Sequence, residues 1–171
     1  MKINKAYGDI INVARLMARK HKAEVFIPHV CNTVGTMGAG VALRLASTFP
    51  QIVHNYRNAC TSSSGKLLGQ TFVEFAEPHI YVVNMVAQEG LRKPQMELPP
   101  IRYTALVACM QDVLREVLSH ADMGVPTRIV CPMFGSGLAG GYWPVIQQLI
   151  AEIWSANLIS VTVVEYTENH Q

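Results

Sequence analysis

Charge is scarce in this chain: 15% of its 171 residues are charged, and 14 basic against 12 acidic side chains leave a net charge of +2. So small an excess excludes a general nucleic-acid binder, and any anion must be held locally. Cys31, Cys60, Cys109 and Cys131 form no CxxC pair, and no two histidines have zinc-finger spacing. Neither a disulfide framework nor a structural zinc site is therefore expected. No segment approaches the ~20 apolar residues that a membrane helix needs, which leads to the expectation of a cytoplasmic protein without a membrane partner. The Ser-rich run Thr61-Ser62-Ser63-Ser64-Gly65 is too short for a linker, so residues 1–171 read as one domain. The two common phosphate motifs are missing as well. Gly35, Gly38 and Gly40 follow G-x-x-G-x-G rather than the dinucleotide pattern G-x-G-x-x-G, and there is no G-x-x-x-x-G-K-[ST].

Two other glycine loops are present. Gly35-Thr36-Met37-Gly38-Ala39-Gly40 and Gly135-Ser136-Gly137-Leu138-Ala139-Gly140-Gly141 each follow a short apolar run and open onto a helical pattern. Such loops turn tightly, expose backbone N–H groups and aim a helix N-terminus at negative charge. Two of them suggest a diphosphate gripped from both sides.

Helix and strand signals alternate along the rest of the chain. Ile10, Val13, Ala14 and Met17 have helical spacing, and the basic cluster Arg15, Arg19, Lys20, His21 and Lys22 reads as a solvated helix end. Val25 to Val30, an apolar run interrupted only by Pro28, reads as a buried strand, and Val41, Ala42, Leu45 and Phe49 mark a helix stopped by Pro50. Thr71 to Phe75 and His79 to Val83 are expected strands, and Gln88 to Pro100 an aperiodic loop. Leu106, Met110, Val113, Leu114, Val117 and Leu118 form an amphipathic helix, and Arg128 to Met133 is a strand feeding the second glycine loop. Pro144 opens a last helix with Val145, Ile146, Leu149, Ile150, Ile153 and Trp154 toward the core, before a strand at Ile159 to Tyr166. The expectation is an α/β sheet with helices on both faces and ligand sites beyond the strands' carboxyl ends.

Gly8-Asp9-Ile10, His29-Val30-Cys31-Asn32 leading into the first glycine loop and Val41-Ala42, Gly65-Lys66-Leu67-Leu68-Gly69, and the second glycine loop followed by Trp143 together resemble the macrodomain. The similarity covers nearly the whole chain. It is closest to the branch of ADP-ribose-1″-phosphate phosphatases, terminal ADP-ribose glycohydrolases and antitoxin-type macrodomains. The resemblance implies a three-layer α/β/α sandwich around a mixed central sheet, with ADP-ribose or a derivative as ligand and no metal or cofactor. It implies that Asp9 accepts a hydrogen bond from the adenine amino group with Ile10 beside it, and that Asn32 touches the distal ribose. The first loop with Val41 would wrap that ribose and one phosphate. The second, from Phe134 through Gly135, Ser136, Gly137, Leu138, Ala139 and Gly140, would hold the diphosphate. Nucleic acid would enter only as an ADP-ribosylated substrate.

His29 matches the histidine that the phosphatase branch sets against the terminal phosphate, where an imidazole can protonate a leaving oxygen or activate water. A buried histidine satisfied by a carbonyl is the plainer alternative. Asp9 fits a helix N-cap as well as an adenine contact. Cys31 beside His29 reads as a lining thiol rather than a nucleophile, because i and i+2 side chains rarely form a proton relay. Tyr142 or Phe134 is placed to stack on a ring. The lysine and aspartate of the glycohydrolase branch are replaced here by Gln88, or a close neighbour, and Ala139, which removes the lysine-based mechanism. The expected activity is hydrolysis of the terminal phosphate of ADP-ribose-1″-phosphate. A non-catalytic reader, or a mono-ADP-ribosyl hydrolase without the lysine, are the rivals.

Overall fold

The computed structural model describes residues 3–62 and 65–167, so Ser63 and Ser64 of the Ser-rich run lie outside the described residues. Its elements run in the order β1 (Asn4–Tyr7), α1 (Ile10–His21), β2 (Glu24–Asn32), α2 (Gly40–Thr48), a 3-10 turn (Pro50–Val53), α3 (His54–Ser62), β3 (Thr71–Glu77), β4 (Ile80–Gln88), α4 (Tyr103–Asp122), β5 (Thr127–Pro132), α5 (Trp143–Ile153) and β6 (Val161–Glu165). The six strands form one sheet in the order β1-β6-β5-β2-β4-β3, parallel except for β3, which pairs antiparallel with β4. Parallel strands are covered on both faces, and β2 and β4 accordingly read as nearly continuous apolar runs.

Alternation along the strands sorts side chains into two layers of core. Val25, Ile27, Val82 and Val164 pack with Ile11 and Ala14 of α1 and Leu45 of α2. Cys31 and Val86, with Tyr56 of α3, extend that layer. On the other face Phe26, Val83, Met85 and Ile129 meet Leu106, Met110 and Val113 of α4 and Ile146 and Ile150 of α5. Trp154 is fully buried there and donates its indole N–H to Met110 O at 2.9 Å, which satisfies its one polar atom. The mixed three-layer arrangement is the one anticipated.

Three details differ from the periodicity reading. Strand β1 and helix α3 carry no apolar run or clear stripe: β1 is four mostly exposed residues fixed by pairing with β6, and α3 is polar apart from Tyr56. Val145, expected in the core, is 41% exposed, because Ile146, Ile150 and Trp154 form the stripe that α5 buries. The strand expected at Val25 to Val30 is there, passes through Pro28, and runs on to Asn32.

That last point positions the site. Val25 N donates to His79 O on the β4 side and Glu24 N to Pro126 O on the β5 side, so by alternation Pro28 points toward β5. Pairing of β2 with β5 ends at Phe26–Ile129, and the missing N–H of Pro28 removes no ladder bond. Beyond it β2 stays with β4 while β5 stays with β6, and the carboxyl ends of β2 and β5 part. The glycine loops leave from those two ends.

Candidate functional site

Between the parted strands lies a cavity of about 490 Å³, walled by His29 to Asn32, Thr36 to Ala42, Gln88, Leu91, and the segment from Pro132 through Ala139 without Ser136. A second cavity of about 630 Å³ shares Gly40, Val41, Pro132 and Met133 with it and continues to Gly8, Asp9, Ile10, Arg44 and Tyr166. The two form one cleft over the carboxyl edge of the sheet. The binding residues expected from sequence line it except Gly35, Ser136 and Gly140. The Ser136 hydroxyl turns back to donate to Met133 O at 2.7 Å and braces the second loop.

The first loop is organised by Asn32. Its Oδ1 accepts from the amides of Val34, Gly35 and Thr36 at 2.9, 3.0 and 3.3 Å, and its Nδ2 donates to Thr36 O and Oγ1 at 2.9 and 3.1 Å. The Tyr56 hydroxyl, buried in α3, lies 2.6 Å from Asn32 O and 2.9 Å from Oδ1. Asn32 therefore shapes the loop, and its amide is spoken for before any ribose arrives. Gly35 has φ +88°, which the turn needs, and Met37 is buried as an anchor. Tyr56 belongs to the helix that periodicity misses, and a lone aromatic in a polar segment gives little signal.

Past Met37 the chain has no such partners. Helix α2 begins at Ala39 without any side-chain cap and with no acidic residue in its first turn. Among the described residues, the amides of Gly38, Ala39, Gly40 and Val41 have no hydrogen-bond partner. Facing them, Gly137, Leu138 and Ala139 of the second loop also have unpartnered amides, while that loop is closed by Gly140 N to Gly137 O at 3.0 Å and Gly141 N to Gly135 O at 2.7 Å. Free N–H groups at a helix start, opposite a second set on a rigid turn, make an anion cradle. Among the described residues, no Asp, Glu, Lys or Arg lines the first cavity. The main chain is its source of positive potential.

His29 faces the α1/α2 side of the sheet and is 2% exposed. Its Nε2 lies 2.7 Å from Asn84 Oδ1, and Asn84 Nδ2 donates to Ile52 O at 2.8 Å, which fixes that amide with its oxygen toward the ring. The Nε2 nitrogen therefore carries the proton and Nδ1 keeps a lone pair, with the Cys31 sulfur 3.9 Å away. Burial pushes the imidazole down to about 4, against a smaller opposing effect of Asn84. It is neutral at physiological pH. Burial raises the Cys31 thiol well above its ordinary value, so the pair is no thiolate–imidazolium couple. Gln88 and Ala139 both line the cavity; Gln88 Nε2 donates to Gly90 O at 2.9 Å. Phe134 is 3% exposed and packed edge-on to Trp143, whereas Tyr142 is 67% exposed with its amide held by the Tyr103 hydroxyl.

At the far end, Asp9 caps α1: Oδ1 accepts from Ile11 N at 3.1 Å and Asn12 N at 3.0 Å. Arg44 of α2 adds Nε to Oδ2 at 2.7 Å and Nη2 to Oδ1 at 3.3 Å. Burial pushes the carboxyl up, but Arg44 and the two amides outweigh it and hold Asp9 below its ordinary value. The capping reading and an ion pair not foreseen from sequence thus both hold.

No protein-family model matches the chain. It is 33% identical over 144 residues to a DNA ADP-ribosyl glycohydrolase of Thermus aquaticus, with 81% of this chain aligned, and spans just over a third (36%) of that protein's length. It is 24% identical over 149 residues to an ADP-ribose 1″-phosphate phosphatase of Candida albicans, covering 85% of this chain and 89% of that one. Among solved structures, a protein of unknown function from Bacteroides thetaiotaomicron superposes with a TM-score of 0.84 at 31% identity, over 98% of this chain and 99% of the other. A macrodomain protein of Streptomyces coelicolor superposes with a TM-score of 0.73 at 28% identity, over 97% and 100%. With its mixed sheet, its paired glycine loops and these relatives, the chain belongs to the macrodomain family.

Proposed function

We propose that this macrodomain binds ADP-ribose along the cleft and hydrolyses the terminal phosphate of ADP-ribose 1″-phosphate. The observation that carries the reading is the two facing sets of unpartnered amides, from Gly38 to Val41 and from Gly137 to Ala139. They match a diphosphate in charge, and the adjoining cavity at Asp9 and Ile10 leaves room for a base. The relatives that are a DNA ADP-ribosyl glycohydrolase and an ADP-ribose 1″-phosphate phosphatase support an ADP-ribosyl substrate class.

In this reading water attacks phosphorus and the bond to the ribose C1″ oxygen breaks. The amides hold the developing charge. His29 is neutral with Nδ1 unprotonated, so it takes the proton from water and returns it to the leaving oxygen. Its service is that of a base rather than of an acid at the outset. A lysine-adduct route finds no group in this lining, since among the described residues no lysine lines the cavity.

A second reading, a non-catalytic reader of ADP-ribose, is favoured by the same neutral lining and by the depth of His29. The test is phosphate release from ADP-ribose 1″-phosphate by the wild-type chain and by His29→Gln, whose amide can still donate to Asn84. Turnover in the wild type and a loss of roughly a hundred-fold or more in the variant, with ADP-ribose binding kept, is the expected result. Equal rates remove His29 from the reaction; tight binding with no release by either protein establishes the reader.

A further inference from the structure

The base end of the cleft contains a device that a simple acceptor for adenine would not need. Oδ1 of Asp9 takes three donors, the amides of Ile11 and Asn12 and Arg44 Nη2, whereas Oδ2 takes only Arg44 Nε. Arg44 is in turn held by Thr48, whose Oγ1 accepts from Nη1 at 2.6 Å and donates to Arg44 O at 3.0 Å. Asp9 and Arg44 both line the 630 Å³ cavity. A two-pronged guanidinium grip fixes the plane of a carboxylate, which a capping bond through one oxygen does not.

We propose that Arg44 is a positioning residue that sets base selectivity: by locking the Asp9 carboxylate it leaves Oδ2 as the one acceptor for a ligand, which suits a 6-amino purine and rejects a 6-oxo purine. An ionised carboxylate only accepts hydrogen bonds, so an amino group satisfies it and a keto oxygen repels it. Hypoxanthine does have a donor, its N1–H, one atom away from the keto oxygen. A carboxylate free to turn would follow it; a clamped one does not. The ion pair itself is half-exposed and adds little to stability, so its value lies in orientation. The other charged groups near Asp9 are Arg15 on its own helix and Glu165 at the end of β6, the latter paired with Lys5 of β1.

The inference rests on the ADP-ribose reading given above, and the experiment separates the two. Affinities of the wild type, Arg44→Met, Arg44→Lys and Thr48→Val are measured by calorimetry for ADP-ribose and for inosine diphosphate ribose, from pH 8 down to pH 4. The wild type is expected to prefer the adenine ligand by roughly ten-fold or more. In Arg44→Met the ratio falls toward one, and the acid limb of ADP-ribose binding moves to higher pH because the guanidinium no longer favours the ionised carboxyl. Arg44→Lys restores the pH profile but not the ratio, and Thr48→Val lowers the ratio part of the way. A wild type that does not bind ADP-ribose overturns the ligand reading itself. Binding with the same ratio in Arg44→Met and the wild type, or full recovery of the ratio by lysine, overturns the role of Arg44 alone.

Discussion

A histidine sealed beside a phosphate cradle has a thermodynamic signature of its own. His29 is held down to about 4 in the folded protein by burial, against an ordinary value of 6.5. As pH falls through 6.5 the unfolded chain takes up a proton that the folded one refuses, so unfolding becomes easier. The stabilising contribution is complete above pH 6.5 and is lost by about pH 4, on the order of 3 kcal/mol across that window. Urea titrations at pH 7, 5.5 and 4.5 are expected to show a steeper loss for the wild type than for His29→Gln. Parallel curves would mean that the imidazole charges inside the fold. Sequence locates Asn32 at the cleft, but its part in shaping the loop is not legible there, because its side-chain bonds go to the loop and to Tyr56, whose helix has no clear stripe.

At the scale of elements, the two loops combine glycines of different kinds. A Cβ added at Gly38 or Gly137 would meet nothing within 4 Å, whereas one at Gly141 would come within 2.6 Å of Gly135 O. Gly137→Leu is therefore expected to keep its thermal midpoint within about 2 °C and to lose ADP-ribose binding, since the side chain fills the space of the anion. Gly141→Ala is expected to lose about 2 kcal/mol or more in denaturant titration, because backbone must move. Both loops and the helices that follow were legible, because glycine spacing and 3.6-residue periodicity are local signals. Strand β1 was not, since its four mostly exposed residues, without an apolar run, become a strand only through β6. The Asp9–Arg44 pair was hidden for a similar reason: its members are 35 positions apart and meet only once α1 and α2 lie side by side.

At the scale of the whole molecule, the thiols report on the sheet. Cys31, Cys109 and Cys131 are buried and Cys60 is half-buried, and burial raises all four, Cys109 to about 11. A thiol reagent at pH 8 is expected to label Cys60 alone in the folded protein and all four after denaturation. Rapid native labelling of Cys31 would show that the floor of the cleft opens. The parting of β2 from β5 at Pro28 determines where that floor lies, and the proline that seems to interrupt a strand in the sequence is the residue that tolerates the gap.

Helix α2 starts with its first-turn donors bare and carries Arg44 one turn further along. An anion bound there, as proposed, would supply the missing cap. In the proposed reading, an anion at those donors would order the turn from which Arg44 reaches Asp9, and the two ends of the cleft would be linked through one nine-residue helix.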